Sequence, residues 1–223
     1  MKERPILFSA PMVRALLDGS KTQTRRVIKP QPDFVGAMGN PHVPWITKAP
    51  GLHVFLECPY GQPGDRLWVR ETWQTHGELD GITPRDLPND LHIQHPATYD
   101  GWVSKRRPSI FMPRWASRIT LEIVSVRVER LQAISEADAS AEGCERMDSE
   151  REVRDWKICP QCGGNGLYTA FSGSGGALPD SDCFKCDTYV KRYRHLWESI
   201  NGAGSWDANP WVWVVEFKKV TPC

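Results

Sequence analysis

Four cysteines in two close pairs constrain this chain more than any other feature. Cys159-Pro-Gln-Cys162 and Cys183-Phe-Lys-Cys186 are two C-x2-C knuckles separated by twenty residues. Two residues between thiols let a tight turn aim both sulfurs at one ion, and two such knuckles close a tetrahedron around Zn²⁺. Between them, Ser172-Gly-Ser-Gly-Gly176 cannot pack a core. Metal binding must therefore supply much of the local folding energy, on the order of 10 kcal/mol for small zinc modules. The expected ligands are Cys159, Cys162, Cys183 and Cys186, with Zn²⁺ as cofactor. Four sulfurs saturate the ion and leave no position for water, so its role is structural; reduced thiols without a metal are the bland alternative. Of seven cysteines, Cys58, Cys144 and Cys223 remain single. An odd count with paired knuckles suits a reducing compartment better than disulfides.

The 223 residues accommodate one enlarged domain, or a core domain with a small extra module. Hydrophobic residues at 40% and charged residues at 25% are ordinary globular usage, which excludes wholesale disorder. Lys plus Arg (28) against Asp plus Glu (27) leaves a formal charge of +1, too little to hold nucleic acid by a global field. Any polyanion must meet a local patch. After the charged start only three apolar residues, Ile6 to Phe8, precede polar ones, unlike a secretory leader. The apolar run Trp211 to Val215 is far short of the roughly twenty residues that span a bilayer. The expectation is a soluble, cytoplasmic protein with no membrane partner.

Periodicity supplies the elements. Ser9 can cap a helix with Pro11 in its first turn, and Met12, Val13, Leu16 and Leu17 recur at helical spacing until Gly19. Ser20 to Ile28 reads as a strand. Residues 30–63 carry seven prolines and read as a loop excursion pinned by Trp45 and Phe55. Arg66 to Glu71 is a strand, followed by a second irregular excursion over 74–108; both are expected on the surface. Arg118 to Leu131 alternates so regularly that it must be a strand with a wet Arg/Glu face. Ser135-Glu-Ala-Asp138 opens a helix that runs through Glu142 and closes at Gly143. Tyr189 to Ile200 is a further helix, and Trp211 to Val220 a terminal strand. The expected class is α+β: a small barrel over 1–150, a zinc ribbon over 155–188, and a helix and strand over 189–223 that complete the barrel.

The segment Gly19-Ser-Lys21-Thr-Gln-Thr24-Arg-Arg26 puts an amine, a hydroxyl and a guanidinium on a helix-to-strand turn. Period-two geometry sends Thr24 and Arg26 to one face. This can be an anion cradle, a hydroxyl nucleophile beside an amine base, or a helix cap followed by a solvated strand. A threonine hydroxyl needs a base to take its proton, and a lysine serves only if burial favours its neutral form.

These residues resemble the ASCH domain, a β-barrel related to the PUA RNA-binding fold, whose pattern is G-x-K-x-x-E-x-R. Gly19, Lys21 and Arg26 match it, with Thr24 where many members have glutamate. Small bacterial ASCH amidohydrolases that cleave N4-acylcytidine nucleosides carry G-x-K-T-x-T-x-R, which Gly19, Lys21, Thr22, Thr24 and Arg26 match. In them lysine, threonine and a later glutamate are catalytic. That glutamate follows by seven residues a Thr-Glu that starts a helix; Ser135-Glu136 begins the matching segment here, which puts Glu142 in the role. The segments Pro63 to Glu71, Pro108 to Arg118, Leu131 to Gly143 and Asn209 to Phe217 resemble the longer ASCH-like proteins of bacteriophages and prophages. The resemblance covers about half the chain; the cysteine insert and both excursions depart from the small amidohydrolases. It implies that Lys21, Thr24 and Glu142 are catalytic and that Arg26 holds a modified nucleoside, with a bacterial host cytoplasm as location.

Two further stretches bear on binding. Trp102 to Arg118 has no acidic residue and interleaves Lys105, Arg106, Arg107, Arg114 and Arg118 with aromatics, which suits phosphate contact with Trp115 as a stacking surface, or a solvated loop. Glu71 ends a strand where either a site carboxylate or a structural ion pair fits. Arg26, Glu71, Arg114 and Trp115 are accordingly the candidate substrate-binding residues. The alternative to hydrolysis is a noncatalytic RNA- or DNA-binding module; a third reading is a phage accessory protein whose zinc module docks an unknown protein partner.

Overall fold

The computed structural model describes residues 1–36, 43–99, 101, 104–144, 159–163 and 166–220. Its main sheet has five strands: β1 (Glu3–Leu7), β2 (Gln23–Val27), β6 (Arg66–Arg70), β7 (Thr120–Arg130) and β10 (Trp211–Val220), in the order β1-β6-β7-β10-β2. Only β1 and β6 run parallel; the other neighbours are antiparallel. Helices α1 (Ala10–Asp18) and α3 (Tyr189–Asn201) contribute to the same core, and the short α2 (Glu136–Ala141) follows β7. The class is mixed α+β.

Local chemistry accounts for these elements. Ser9 is the extended residue before α1, Pro11 sits in its first turn, and Gly19 ends it at φ +87°, a left-handed conformation that glycine adopts at no steric cost. In β7 the alternation buries Leu121, Ile123 and Val128. β10 lies inside the sheet between β7 and β2, and Val212 through Val215 and Phe217 are all buried, so both of its faces are covered. The core gathers Leu67 and Val69 from β6, Val13 and Leu16 from α1, and Leu196 and Trp197 from α3.

The expected closed barrel is not formed. β1 and β2 stand at the two edges and no ladder joins them. The edges do approach, since the Arg26 guanidinium donates to the Leu7 carbonyl at 2.8 Å. Side chains close this seam in place of backbone bonds: Phe8 packs on Phe217, with Lys21 and Arg26 over the Phe8 ring at 5.6 and 5.4 Å.

The two excursions are more ordered than loops. The first contains a three-stranded sheet of β3 (Phe34–Gly36), β4 (Val43–Ala49) and β5 (Leu52–Phe55), held by Trp45 stacked on Phe34 and edge-on to Phe55. Its prolines hide the strand pattern, since Pro44 lies inside β4 itself. The second forms no long element among the described residues, yet it is not merely surface: its Leu87 joins the flanking Trp73, Met112 and Ala116 in a satellite core. Between the cysteine pairs, β8 (Leu167–Phe171) and β9 (Ala177–Asp182) form a hairpin whose turn is the Ser172–Gly176 tip. The junction expected near 150–155 lies outside the described residues. No helix among the described residues is long and apolar enough to cross a membrane.

Gly143 is the glycine on which the site depends. It has φ +83°, and a Cβ there would sit 3.0 Å from Ala15 Cβ and 3.2 Å from Lys21 Cβ. Gly143→Ala is therefore expected to cost about 1–3 kcal/mol, from left-handed strain plus the close approach. A urea midpoint equal to that of the unaltered protein would contradict this.

Candidate functional site

The chain after Gly19 is stitched to the end of α2. Lys21 N–H donates to the Ala15 carbonyl and Thr22 N–H to the Ala141 carbonyl, while Lys21 and Glu142 form an isolated antiparallel bridge. Ser135 caps α2 by accepting from Asp138 N–H, so six helical residues deliver Glu142 to the turn. The Lys21 Nζ donates to Glu142 Oε2 at 2.8 Å and to the Glu142 carbonyl at 2.9 Å. Both side chains are out of solvent, at 0% and 3% exposure. A buried amine and carboxylate must compensate each other, because an isolated charge there would cost several kcal/mol.

Arg25, fully buried on β2, extends the pair into a network. Its guanidinium reaches Glu142 Oε1 at 3.4 Å, Glu129 Oε2 at 3.1 Å and Asp138 Oδ2 at 3.3 Å. Arg127 then bridges Glu129, Asp138 and Glu216. Burial pushes the Asp138 carboxyl up, but the Ser135 hydroxyl, Arg25 and Arg127 outweigh it and hold the carboxyl below its ordinary value. The Arg/Glu face of β7, expected to be wet, is thus partly buried and tied to the site. Cys144 lies beside the pair, and burial followed by the Glu142 charge pushes its thiol up to about 12. It is a protonated, poor nucleophile at neutral pH.

A cleft of about 380 Å³, counting its open mouth, lies between β2, α1 and α3. Thr24, Arg25 and Arg26 line it from β2, Glu142 from the end of α2, and Tyr193 and Trp197 from α3. Thr24 is 1% exposed, and its hydroxyl has no hydrogen-bond partner among the described residues. Lys21 sits behind Glu142, outside the cleft lining. Thus an unengaged hydroxyl and a buried carboxylate share one hollow, with the amine one hydrogen bond further in. This arrangement can move a proton between a cleft-side group and an internal pair.

The other binding candidates lie elsewhere, and none of the three lines the cleft. Glu71 is 1% exposed and makes a two-pronged pair with Arg118 at 2.9 and 3.0 Å. Arg114 pairs with Glu3 at 2.9 Å, and Trp115 packs edge-on against Trp73. Arg107 is buried, donating to the Ile82 and Leu79 carbonyls over the Trp73 ring. Conversely, sequence reasoning missed Arg25 and Tyr193. The strand pattern held a signal for Arg25, since residues 23 and 25 share the face opposite 24 and 26; nothing local marked Tyr193.

The four cysteines of the knuckles meet. Their sulfurs lie within 4.8 Å of one another, with Cys159–Cys183 at 3.7 Å and Cys162–Cys186 at 3.3 Å. A tetrahedral ion with metal–sulfur bonds of about 2.3 Å needs sulfurs about 3.8 Å apart, so the donor set fits one thiolate-bound metal. Among the described residues of the module only Tyr168 packs on these cysteines, too little to form a core without the ion. The second knuckle is bolted to α3: Arg192 Nε donates to the Cys186 carbonyl at 2.8 Å, and His195 lies 3.1 Å from the Lys185 carbonyl. From the other side Glu136 accepts from the Tyr189 N–H at 2.7 Å. The cysteine cluster is therefore tied to the helix that forms one wall of the cleft.

Searches against protein-family models, curated proteins and solved structures return no match to this chain.

Elemental analysis of the purified protein should give about one bound metal ion per chain, from the four-sulfur stoichiometry. Stripping it with a strong chelator should raise amide hydrogen exchange through residues 159–201 while β7 stays protected. Unchanged exchange after chelation would contradict the anchoring role.

Proposed function

We propose that the chain is an ASCH-type amidohydrolase that removes the acyl group from N4-acylated cytidine or a related modified nucleoside or nucleic acid. The observation that carries this reading is the meeting of Lys21 and Glu142, 121 positions apart, behind a cleft that also holds the Thr24 hydroxyl. It is supported by the resemblance of Gly19, Lys21, Thr22, Thr24 and Arg26 to the amidohydrolase pattern. On the same reading the five-stranded sheet is a PUA-like fold opened at the β1/β2 seam, and the cysteine module is a zinc ribbon whose Zn²⁺ is structural.

In the proposed reaction the Thr24 oxygen attacks the amide carbonyl carbon, and the carbonyl π electrons move onto its oxygen. The Thr24 proton passes to the Lys21–Glu142 pair, which acts as one coupled base: with the lysine neutral and the glutamate protonated it carries the same net charge as the ion pair. Collapse breaks the C–N bond, and the exocyclic amine departs with a proton delivered through Glu142, the member that lines the cleft. Water then attacks the threonine ester, which releases the carboxylic acid and restores the hydroxyl. Arg26, at the cleft wall, holds the substrate.

Hydrolysis is favoured over a noncatalytic nucleic-acid grip by where the cations are spent. Lys21 is fully buried against Glu142, Arg107 is bound to backbone carbonyls, and Arg114 and Arg118 are paired with Glu3 and Glu71. A phosphate backbone would meet few open charges there.

The test is incubation with a panel of N4-acylcytidines and detection of cytidine and the free acid. Thr24→Ala should lower turnover at least about 100-fold, with Thr24→Ser restoring much of it and neither change shifting the melting temperature appreciably. Absence of hydrolysis across the panel, or full activity in Thr24→Ala, would overturn the assignment.

A further inference from the structure

Tyr193 is a polar cleft residue for which the reaction above has no use. It stands in the second turn of α3 and is 3% exposed. Its ring is fixed between Trp197 and Trp206, with centroids 6.1 and 6.2 Å away. It lines the same cleft as Thr24 and Glu142, yet its hydroxyl makes no hydrogen bond among the described residues. The ring is buried, yet the hydroxyl, unlike the sealed Trp197 Nε1, is not cut off from solvent, which leaves it open to a partner arriving from the cleft. A rigid ring holding an unengaged hydroxyl at the wall of a cleft is suited to an acceptor brought in from outside.

We propose that Tyr193 is a catalytic residue that donates its hydrogen bond to the carbonyl oxygen of the acyl amide as that oxygen takes on negative charge. The inference rests on the amidohydrolase reading and deepens it by naming the group that receives the developing oxyanion. The chemistry of the position agrees. Burial, and after it the Glu142 carboxylate, holds the phenol well above its ordinary titration range, so it stays protonated and donates without losing its proton. When Thr24 attacks, the electron pair displaced onto the carbonyl oxygen is met by a donor already in place, whose orientation two tryptophans have fixed; when the C–N bond breaks, the pair returns to re-form the carbonyl. Such a preorganised donor acts on the charged intermediate more than on the neutral substrate. The ligand class that follows is an acyl amide whose carbonyl oxygen points towards α3, with the leaving amine towards Glu142.

The experiment compares the intact metal-loaded protein with its Tyr193→Phe variant, which deletes only the unengaged hydroxyl and leaves the ring packing in place. On an N4-acylcytidine turned over by the unaltered protein, kcat should fall about 100-fold or more with KM changed little. Inhibition by a tetrahedral phosphonamidate analogue should weaken by a similar factor, while the melting temperature stays the same. A variant with unaltered kcat and unaltered analogue affinity, on a substrate the unaltered protein hydrolyses, would overturn the role of Tyr193 and leave the amidohydrolase reading standing. An unaltered protein that hydrolyses no acyl amide would overturn both.

Discussion

An amine and a carboxylate joined at 2.8 Å where water does not reach them set the terms for this structure. Neither can be buried alone, since an unpaired ionic group in a protein interior costs several kcal/mol, so the two segments that carry them must come together. That requirement brings the turn after α1 against the end of α2. It explains the glycine at each junction, one ending α1 and one following Glu142 where a side chain would strike Lys21. Arg25 balances the second carboxylate oxygen and carries the network to β7 through Glu129 and Asp138. The strands of the sheet and the short helix are thereby locked in one register.

The cleft is a consequence of that locking together with a second, independent anchor. β2 and the end of α2 supply one side; α3 supplies the other, and α3 is held at its start by the cysteine knuckle and by Glu136. A module with almost no core of its own thus acts on the cleft through a helix. An ion held by the four thiolates would be coordinatively saturated and would do no chemistry at the cleft. Its contribution would be to fix where Tyr193 and Trp197 stand.

Much of the scaffold was legible from residue pattern. α1 and β7 follow from spacing, because each has one face that must be buried and a period that shows it, and β10 follows from its unbroken apolar run. The small sheet of β3, β4 and β5 was hidden, since prolines break the alternation and aromatic stacking of Phe34, Trp45 and Phe55 holds the strands instead. The closed barrel failed for a different reason: Phe8, Lys21 and Arg26 fill the seam where a β1–β2 ladder would have run. At the site, Glu142 was reached through resemblance and not through spacing. A contact between residues 121 positions apart leaves no local mark, and the same holds for Tyr193 and Thr24 lining one cleft. Arg114, Trp115 and Glu71 looked like ligand contacts because exposed and internally engaged side chains read alike in a sequence; their partners Glu3, Trp73 and Arg118 decide between the two.

The most direct measurement is a double-mutant cycle on folding stability across Lys21→Met and Glu142→Gln. If the two groups depend on each other as described, each single change strands a buried partner, and the cycle should return a coupling of about 2–3 kcal/mol. Effects that add to within about 0.5 kcal/mol would show that Lys21 and Glu142 do not form the pair on which the cleft is built.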